Sequence, residues 1–373
     1  MTPELRIADV TQWYSPTSGG IRTYLHAKAE YASRAATPHC LIVTGPRCTE
    51  TQIHASRLIT VRGRTATERW GYRVALSAHD ILDALDETRP TVVIVHDALA
   101  FPQAIAQWAH HRGAALVVLC HSHLGAAING LPRLVRALAT PLLNRVQARA
   151  LRVGDLVVVA SETTRERIID QTRAPIMVSP LGITAAHFVD ARPSASLRAR
   201  LSDPGQTLLV YAGRLSGEKR VALLPDVLAA LPGHYVLAIA GTGAATTHVA
   251  RRARARGVHD RLHFLGHIHD RQQLATLLAT ADCFVHPNPG EPFGLAPLEA
   301  LAAGCRVVAP RRAGAAEVLG GRGAVLVAPN DAEALARGIE DAMRVPPPRP
   351  DMRDLDWNHT FDREWQMYDR ICR

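Results

Sequence analysis

Lysine is nearly missing from this chain of 373 residues: of 43 Lys and Arg residues, all but Lys28 and Lys219 are arginine. Schiff-base chemistry with pyridoxal phosphate would have to use one of those two, and the excess of arginine reads as a compositional bias of the source. Long apolar runs are lacking too. The longest, such as Ala114 to Cys120, are strand-sized and fall short of the ~18 to 20 residues a membrane-spanning helix needs. No basic segment followed by an apolar one opens the chain, so no export signal and a cytoplasmic location are expected. Cysteine is sparse and scattered: Cys40, Cys48, Cys120, Cys283, Cys305 and Cys372 include no Cys-x-x-Cys pair. Reduced structural thiols are therefore expected, with neither a disulfide framework nor a cysteine-held metal. Aromatic residues make up only 5%, too few to interleave with the basic run Arg251-Arg252-Ala253-Arg254-Ala255-Arg256 as stacking partners for nucleic acid. That run reads as one solvated helix face.

What is present is an ordinary globular balance, 47% apolar and 21% charged. The length gives a prior of two to three domains. The net charge of +9 creates a field that attracts nucleic acid, anionic lipid or phosphorylated substrates.

Short Val, Ile and Leu runs alternate with longer helix-patterned segments, as in parallel sheets covered on both faces. Strands are predicted at Leu5 to Val10, Cys40 to Thr44, Thr91 to Val95, Ala115 to Leu119, Leu156 to Ala160 and Ile176 to Ser179. Helices are predicted at Ile21 to Ala36, Phe101 to Arg112 and Pro132 to Val153. The polar stretch Asp190 to Gln206 interrupts the alternation, which restarts with strands at Leu208 to Ala212, Tyr235 to Ala240, Leu262 to Leu265, Cys283 to His286, Arg306 to Ala309 and Ala324 to Val327. Pro346 to Pro350 reads as a rigid spacer before a last helical segment, Phe361 to Cys372. The resulting division is residues 1–185, 186–350 and 351–373.

Ligands of open α/β sheets bind beyond the carboxyl ends of the strands, and four such places carry chemistry. Gly19 and Gly20 precede the first helix, where glycine admits a bulky anion to the backbone and to a helix N-terminus. A plain turn is the alternative. After the first strand of the second half, Arg214 and Lys219 flank a turn leading into a helix, two fixed cations suited to a diphosphate; a solvated surface fits the charge equally well. Gly241-Thr242-Gly243 forms a third strand-to-helix turn, a common pattern. The fourth place runs from His286 to Ala300. Glu291 sits in a Gly/Pro loop and Glu299 in the helix after it, so both carboxylates could enter one cleft and each grip two vicinal hydroxyls. A solvated pair is the alternative.

The pattern Glu-x-Phe-Gly-Leu-x-x-x-Glu-Ala-x-Ala-x-Gly from Glu291 to Gly304 resembles the Glu-x7-Glu signature of retaining glycosyltransferases of family 4, which have the GT-B fold. Pro180-Leu181-Gly182-Ile183, Gly213-Arg214-Leu215 with Lys219, Ala240-Gly241-Thr242-Gly243 and Phe264-Leu265-Gly266-His267-Ile268 fall in the family's order and spacing, so the resemblance covers nearly the whole chain. Ser18-Gly19-Gly20-Ile21-Arg22-Thr23 and the glutamate region are most similar to GDP-mannose-dependent mannosyltransferases acting on phosphatidylinositol mannosides.

The resemblance implies two Rossmann-like domains facing a central cleft, an acceptor domain followed by a nucleotide-sugar donor domain, and a C-terminal helix crossing back to the first. It implies that Arg214 and Lys219 hold the donor diphosphate, that Gly20, beside Gly19, lets backbone approach it, and that Gly241 and Gly243 belong to the donor site. Glu299 would bind ribose hydroxyls and Glu291 the donor sugar's hydroxyls. The amides around Phe293, Gly294 and Leu295 would line the site, His267 and Ile268 would border the base, and His121 would lie near the donor sugar's anomeric centre. The sequence departs from the family at Asn288, where relatives often carry Ser, and at His286, Pro289 and Pro292, which bears on the identity of the donor sugar.

The implied activity is hexosyl transfer with retention, mannose favoured, to a glycan or lipid-linked acceptor. A UDP-glucose-type hexosyltransferase, a GT-B-like nucleotide-sugar epimerase and a basic nucleic-acid-binding protein are the alternatives. The cations would stabilise the leaving diphosphate, so no cofactor and no metal are expected beyond the nucleotide sugar as co-substrate. His121-Ser122-His123 and His110-His111 lack a third ligand at metal-site spacing. Asp354-Leu355-Asp356 mimics a metal-binding Asp-x-Asp but reads as a helix-capping pair. Leu131 to Arg152 interleaves Leu134, Val135, Leu138, Leu142 and Val146 with arginines, as an interfacial basic helix does. An anionic membrane surface on the inner face of the cell membrane is thus carried as a secondary partner, and nucleic acid is not expected. The acceptor is expected to meet the variable loops Arg62 to Tyr72 and Gly125 to Pro132.

Overall fold

A computed structural model describes residues 4–15, 19–67, 72–121, 133–291, 293–312, 314–328 and 331–372. The chain divides into two compact units: one runs to Gly182 and includes 357–373, the other runs from Ile183 to Asp356. Pro16 to Ser18, residues 122–132, the tip of the 62–72 loop and Pro292 lie outside the described residues.

In the first unit the order is β1 (Ile7–Thr11), α1 (Gly20–Arg34), β2 (His39–Gly45), β3 (Thr49–Ile53), β4 (Ser56–Arg62), β5 (Arg64–Thr67), β6 (Tyr72–Val74), α2 (His79–Thr88), β7 (Val92–Val95), α3 (Pro102–Arg112), β8 (Ala115–Cys120), α4 (Arg133–Leu151), β9 (Leu156–Val159), α5 (Glu162–Ile168) and β10 (Ile176–Val178). The sheet order is β10-β9-β8-β7-β1-β2-β4-β3. Its pairings are parallel except for β3, which runs antiparallel to β4. Strands β1, β2 and β7 are buried along their whole length, which is why their centres read as apolar runs, broken only by Asp9 in β1 and by polar residues at the strand ends. Their core joins Val10, Ile42, Val93 and Val95 to Ile81, Leu85, Ile105 and Trp108 of the helices.

The second unit contains α6 (Ala185–Val189), α7 (Ala195–Leu201), β11 (Thr207–Ala212), α8 (Leu224–Ala230), β12 (Tyr235–Ala240), α9 (Thr246–Ala255), β13 (Leu262–Gly266), α10 (Arg271–Thr280), β14 (Cys283–Val285), α11 (Leu295–Ala302), β15 (Arg306–Pro310), α12 (Gly314–Leu319), β16 (Val325–Val327) and α13 (Ala332–Met343). Its parallel sheet has the order β13-β12-β11-β14-β15-β16. Side-chain caps start several helices: Ser161 accepts from Thr164 N, Asp270 from Gln272 N and Asp331 from Ala334 N, each satisfying an amide that the helix leaves unpaired.

The last helix, α14 (Trp357–Ile371), belongs to the first unit. It packs on α1 through Phe361, which is fully buried against the Tyr24 and Tyr31 rings. Thr360 Oγ1 donates to Pro180 O at 3.0 Å.

The predicted strands recur with end shifts of a residue or two. Strands β3 to β6 had no counterpart in the sequence reading; β3 is Thr-Glu-Thr-Gln-Ile and mostly exposed, so it carries no apolar run to find. The expected loop at 62–72 thus contains strand structure at both ends.

Candidate active site

The donor-side features gather at the carboxyl end of the second sheet. Beyond β11 the chain enters two short 3-10 turns, Gly217–Lys219 and Val221–Leu223, and α8 begins only at Leu224. The expected helix N-terminus beside Lys219 is therefore not formed. Between the turns Arg220 takes a left-handed φ of 52°. Lys219 Nζ instead donates to Glu291 Oε2 at 2.6 Å. The same oxygen accepts from Asn288 Nδ2 at 3.2 Å, and Asn288 Oδ1 accepts from Gly290 N at 3.0 Å, which folds the His/Pro-rich loop back on itself. Burial works to raise the Glu291 pKa, but Lys219, His286 and Asn288 outweigh it and bring it down to about 2. The carboxylate is thus held ionised. His286 is buried and pushed down to about 4, by burial first and by Lys219 against the opposing pull of Glu291. Its Nε2 has no hydrogen-bond partner among the described residues.

Gly241 and Gly243 are required for a reason the sequence reading did not contain. Their φ angles are 148° and 156°, and a Cβ on Gly241 would sit 1.9 Å from Gly213 O, one on Gly243 2.3 Å from Leu215 O. The loops after β11 and β12 lie backbone against backbone, with Gly213 N donating to Ala240 O at 2.9 Å and Leu215 N to Thr242 O at 2.9 Å. This contact fixes the path of Arg214, whose carbonyl accepts from Tyr211 OH at 3.2 Å.

Gly294, with φ of 85°, precedes α11 and leaves it without a side-chain cap, so the amides from Leu295 onward face no side-chain acceptor of their own helix. A Cβ there would lie 2.9 Å from Ala315 Cβ and 3.3 Å from Glu291 Cγ. Phe293 is buried. Glu299, 4% exposed, accepts from Arg271 Nη2, and the Arg271 guanidinium lies 5.0 Å from the centre of the Phe188 ring. The two glutamates are thus each matched to a different cation, and Arg271 is a member of the site that no motif announced. His267 is exposed beyond β13, its ring edge-on to His269, with Ile268 half-buried beside it.

The first unit holds the remaining expected residues. Gly19 and Gly20 start α1, exposed; Gly19 caps the helix with no side chain, and a Cβ there would meet nothing within 4 Å. His121 follows β8, and its Nε2 lies 2.7 Å from His96 Nδ1. His96 Nε2 in turn lies 2.6 Å from Asp9 Oδ1. Lys28 Nζ donates to Asp9 Oδ1 at 2.9 Å and to Tyr368 OH at 3.0 Å, while His39 Nε2 meets Asp9 Oδ2 at 2.7 Å. Tyr24 OH and Tyr368 OH both donate to Glu364 Oε2, at 2.6 Å and 2.9 Å. Sequence reasoning missed this buried cluster. Its signals were an aspartate inside the apolar run of β1 and the placement of one of the chain's two lysines.

Other expectations resolve simply. Arg252 and Arg256 both pair with Asp226, so part of the basic run on α9 is occupied within the unit. Asp354 pairs with Arg322, and Asp356 directly precedes α14. On α4, Leu134, Leu138 and Leu142 are 74%, 75% and 62% exposed. No described helix is long and apolar enough to cross a membrane.

Two family matches cover the two units in turn. Residues 18–187 match Glycosyltransferase Family 4 and residues 195–354 match Glycosyl transferases group 1. A GDP-mannose-dependent alpha-(1-6)-phosphatidylinositol dimannoside mannosyltransferase of Mycobacterium tuberculosis is 31% identical over 350 residues, 92% of this chain and 88% of that protein. Among solved structures, sucrose-phosphate synthase from Thermosynechococcus elongatus superposes with a TM-score of 0.80 at 21% identity, covering 98% of this chain and 99% of the other. Anabaena HepE in complex with UDP and glucose gives 0.75 at 18% identity, covering 98% and 100%. With two Rossmann-like sheets, the family motifs at their strand ends and these relatives, the chain belongs to glycosyltransferase family 4, has the GT-B fold and is a hexosyltransferase.

Proposed function

We propose that this hexosyltransferase moves mannose from GDP-mannose, with retention at the anomeric carbon, to a glycan or lipid-linked acceptor at the inner face of the cell membrane. The observation that carries the donor half is the Lys219–Glu291 pair. It sets a cation and an ionised carboxylate 2.6 Å apart at the strand ends, a combination that suits a phosphate and a sugar hydroxyl held side by side. The 31% identity to a GDP-mannose-dependent enzyme, in an alignment covering 92% of the chain, supports mannose.

In this reading Arg214 and Lys219 hold the diphosphate and stabilise the charge that develops on it as the glycosidic bond breaks, so the step needs no metal. Glu291 grips hydroxyls of the sugar and Glu299, oriented by Arg271, those of the ribose. The uncapped start of α11 at Gly294 and Leu295, next to Phe293, offers amides to the donor, and His267 with Ile268 borders the base. Gly241 and Gly243 shape the turn that positions Arg214. In the acceptor-side domain His121 serves the transfer step, and Gly19 and Gly20 leave the first helix open to an anionic group. The exposed leucines of α4, with Arg145 and Arg149 exposed on the same helix, favour an anionic lipid surface.

The test is a thermal-shift and calorimetric screen against GDP, UDP, ADP, GDP-mannose and UDP-glucose, since a ligand bound only by the folded state raises its stability. Selective stabilisation by GDP and GDP-mannose, lost in Lys219→Ala and Glu299→Ala, is expected. Selective response to UDP and UDP-glucose would replace the donor with a UDP-glucose type. Consumption of donor without acceptor would point to an epimerase, and the anomeric configuration of the product read by NMR decides retention.

A further inference from the structure

Glu291 enters the site with half of its accepting capacity already used. An ionised carboxylate accepts along about four lone-pair directions, two on each oxygen. On Oε2 two donors are in place, Lys219 Nζ at 2.6 Å and Asn288 Nδ2 at 3.2 Å. Oε1 has no hydrogen-bond partner among the described residues and is not enclosed by them. Because the ionised Glu291 only accepts, the Asn288 amide has to turn its nitrogen to the carboxylate and its oxygen to Gly290 N, 3.0 Å away. The arrangement is braced on several sides. Asn288 is 7% exposed, so its side chain has little room to rotate. Glu291 O accepts from Gly314 N at 2.8 Å, which ties the glutamate's backbone to the start of α12. A Cβ on Gly294 would lie 3.3 Å from Glu291 Cγ, so the stem of the glutamate rests against the turn into α11. The loop after β14 therefore delivers one carboxylate oxygen to the site.

We propose that Asn288 is a positioning residue that, together with Lys219, commits Glu291 Oε2 to the protein, so that Glu291 reads the donor sugar through a single hydroxyl on Oε1 and not through a vicinal pair across both oxygens. The inference deepens the donor half of the proposed function and rests on it for the presence of a sugar. Lys219 has three N–H donors; one is used on Glu291, and the others stay free for a phosphate, so the two roles of the lysine do not compete. The consequence is selectivity concentrated at one ring position, since a site built to accept from a hydroxyl discriminates strongly against a sugar that lacks it. Asn288→Ser separates this role from the folding of the loop. A serine hydroxyl can still accept from the amide two residues on, as the Asn288 oxygen does, but it carries no amide nitrogen to reach Glu291.

Calorimetric titration of the full-length protein with GDP-mannose and with its analogues lacking the hydroxyl at C2, C3, C4 or C6 tests this without an acceptor. Each analogue's loss of affinity is measured in wild type and in Glu291→Gln. In the variant the amide oxygen takes the place of Oε2 beside Lys219 and Asn288, and the amide nitrogen faces the sugar. One ring position is expected to cost about tenfold to a hundredfold in wild type, the worth of a hydrogen bond to a charged group, and only a few-fold in Glu291→Gln. The losses at the other positions should be the same in both proteins. In Asn288→Ser, Oε2 regains a vacant direction, so a neighbouring ring position should start to cost severalfold more than in wild type. Two adjacent positions that both depend on Glu291 in wild type would overturn the proposal. A change in Asn288→Ser by one common factor for every analogue is what a merely structural role predicts and would overturn the positioning role. If Asn288→Ser does not fold, the comparison of wild type with Glu291→Gln still decides between one hydroxyl and two. If UDP-glucose binds and GDP-mannose does not, the mannose reading falls alone, and the same series built on UDP-glucose decides the inference by the same criteria. Failure of every nucleotide sugar to bind would overturn the donor reading, and the inference with it.

Discussion

Lys219 Nζ lies 2.6 Å from Glu291 Oε2 although 72 residues separate the two in the chain. The contact joins the turn after β11 to the loop after β14, strands that are neighbours in the sheet, so the sheet order is what brings a cation and a carboxylate from distant sequence into one place. Glu291 folds with a pKa of about 2 against an ordinary value of 4.5. A depressed carboxylate contributes stability that is complete above the unfolded value and disappears as pH falls through the folded one. The contribution should therefore be full above about pH 4.5 and lost between there and pH 2. Glu291→Gln is expected to lower stability at pH 7 by roughly 1.5 to 3 kcal/mol, the range for hydrogen bonds to charged groups. Its stability should then change less than that of wild type between pH 4.5 and 3. Urea titrations at pH 7, 4.5 and 3 measure both effects; an acid limb as steep in the variant as in wild type would show that the pair does not carry it.

The glycines make a paired prediction, because two of them are needed by the fold and one is not. Gly241→Ala pushes a Cβ to 1.9 Å from Gly213 O at a φ of 148°, and neither the backbone oxygen nor the angle can yield cheaply. The variant should lose about 3 kcal/mol or more, or fail to fold. Gly19→Ala meets open space and should leave the melting temperature within the small range of neutral surface changes, about 0.5 kcal/mol. A drop in transfer rate for Gly19→Ala at unchanged stability would assign Gly19 to ligand approach, whereas equal activity would return it to the role of a plain turn.

Much of this is legible in the sequence. The parallel strands announce themselves because β1, β2, β7 and β12 are buried throughout and are mostly apolar. Strand β3 does not, since its residues face water and its pairing with β4 is made by backbone. The same division holds at the site. Glu291, Gly294 and Glu299 sit in one local motif, so spacing alone singled them out. Arg271 reaches Glu299 from another helix, and Asp9, His96 and His121 come from three strands brought side by side in the sheet. Single residues carry no period. What could have flagged them was incongruity: a charge inside a core strand, and a lysine kept where the chain otherwise uses arginine. The expected helix after Lys219 starts only at Leu224, beyond the left-handed Arg220 that separates two 3-10 turns.

Helix α14 is held to the first unit by a buried face that includes Trp357, Phe361, Met367 and Tyr368, and by Trp365 Nε1 donating to Thr37 Oγ1 at 3.0 Å. Phe361 has no exposed surface and touches four aromatic rings of α1 and α14. Phe361→Ala should cost about 3 to 5 kcal/mol, read as a lower denaturation midpoint with little change in slope. Because Tyr368 and Glu364 on the same helix bond Lys28 and Tyr24, removal of residues 357–373 should be more severe and leave the cation of Lys28 facing Asp9 without its outer partners. A truncated chain with an unchanged melting profile would mean that the helix is dispensable.

The leucines of α4 pose the opposite problem, apolar side chains that the unit does not bury. Leu134, Leu138 and Leu142 recur every fourth residue and so line one face of the helix. Embedding a leucine fully in an apolar phase gains about 1.5 to 3 kcal/mol. Three of them partly embedded, with exposed arginines on the same helix facing anionic headgroups, suffice for reversible binding in the manner of interfacial helices. The full-length protein is expected to sediment with vesicles containing anionic lipid, to release from them as salt is raised, and to ignore vesicles of neutral lipid. Substituting all three leucines with serine should abolish sedimentation while leaving the melting temperature nearly unchanged, because these side chains contribute little to the folded core. If the triple variant binds as well as wild type, the attraction is only the diffuse field of the +9 chain and α4 is not a membrane contact. Loss of binding at constant stability would locate the contact on this face, and it would then follow that acceptors delivered from a lipid surface meet the enzyme on its N-terminal unit.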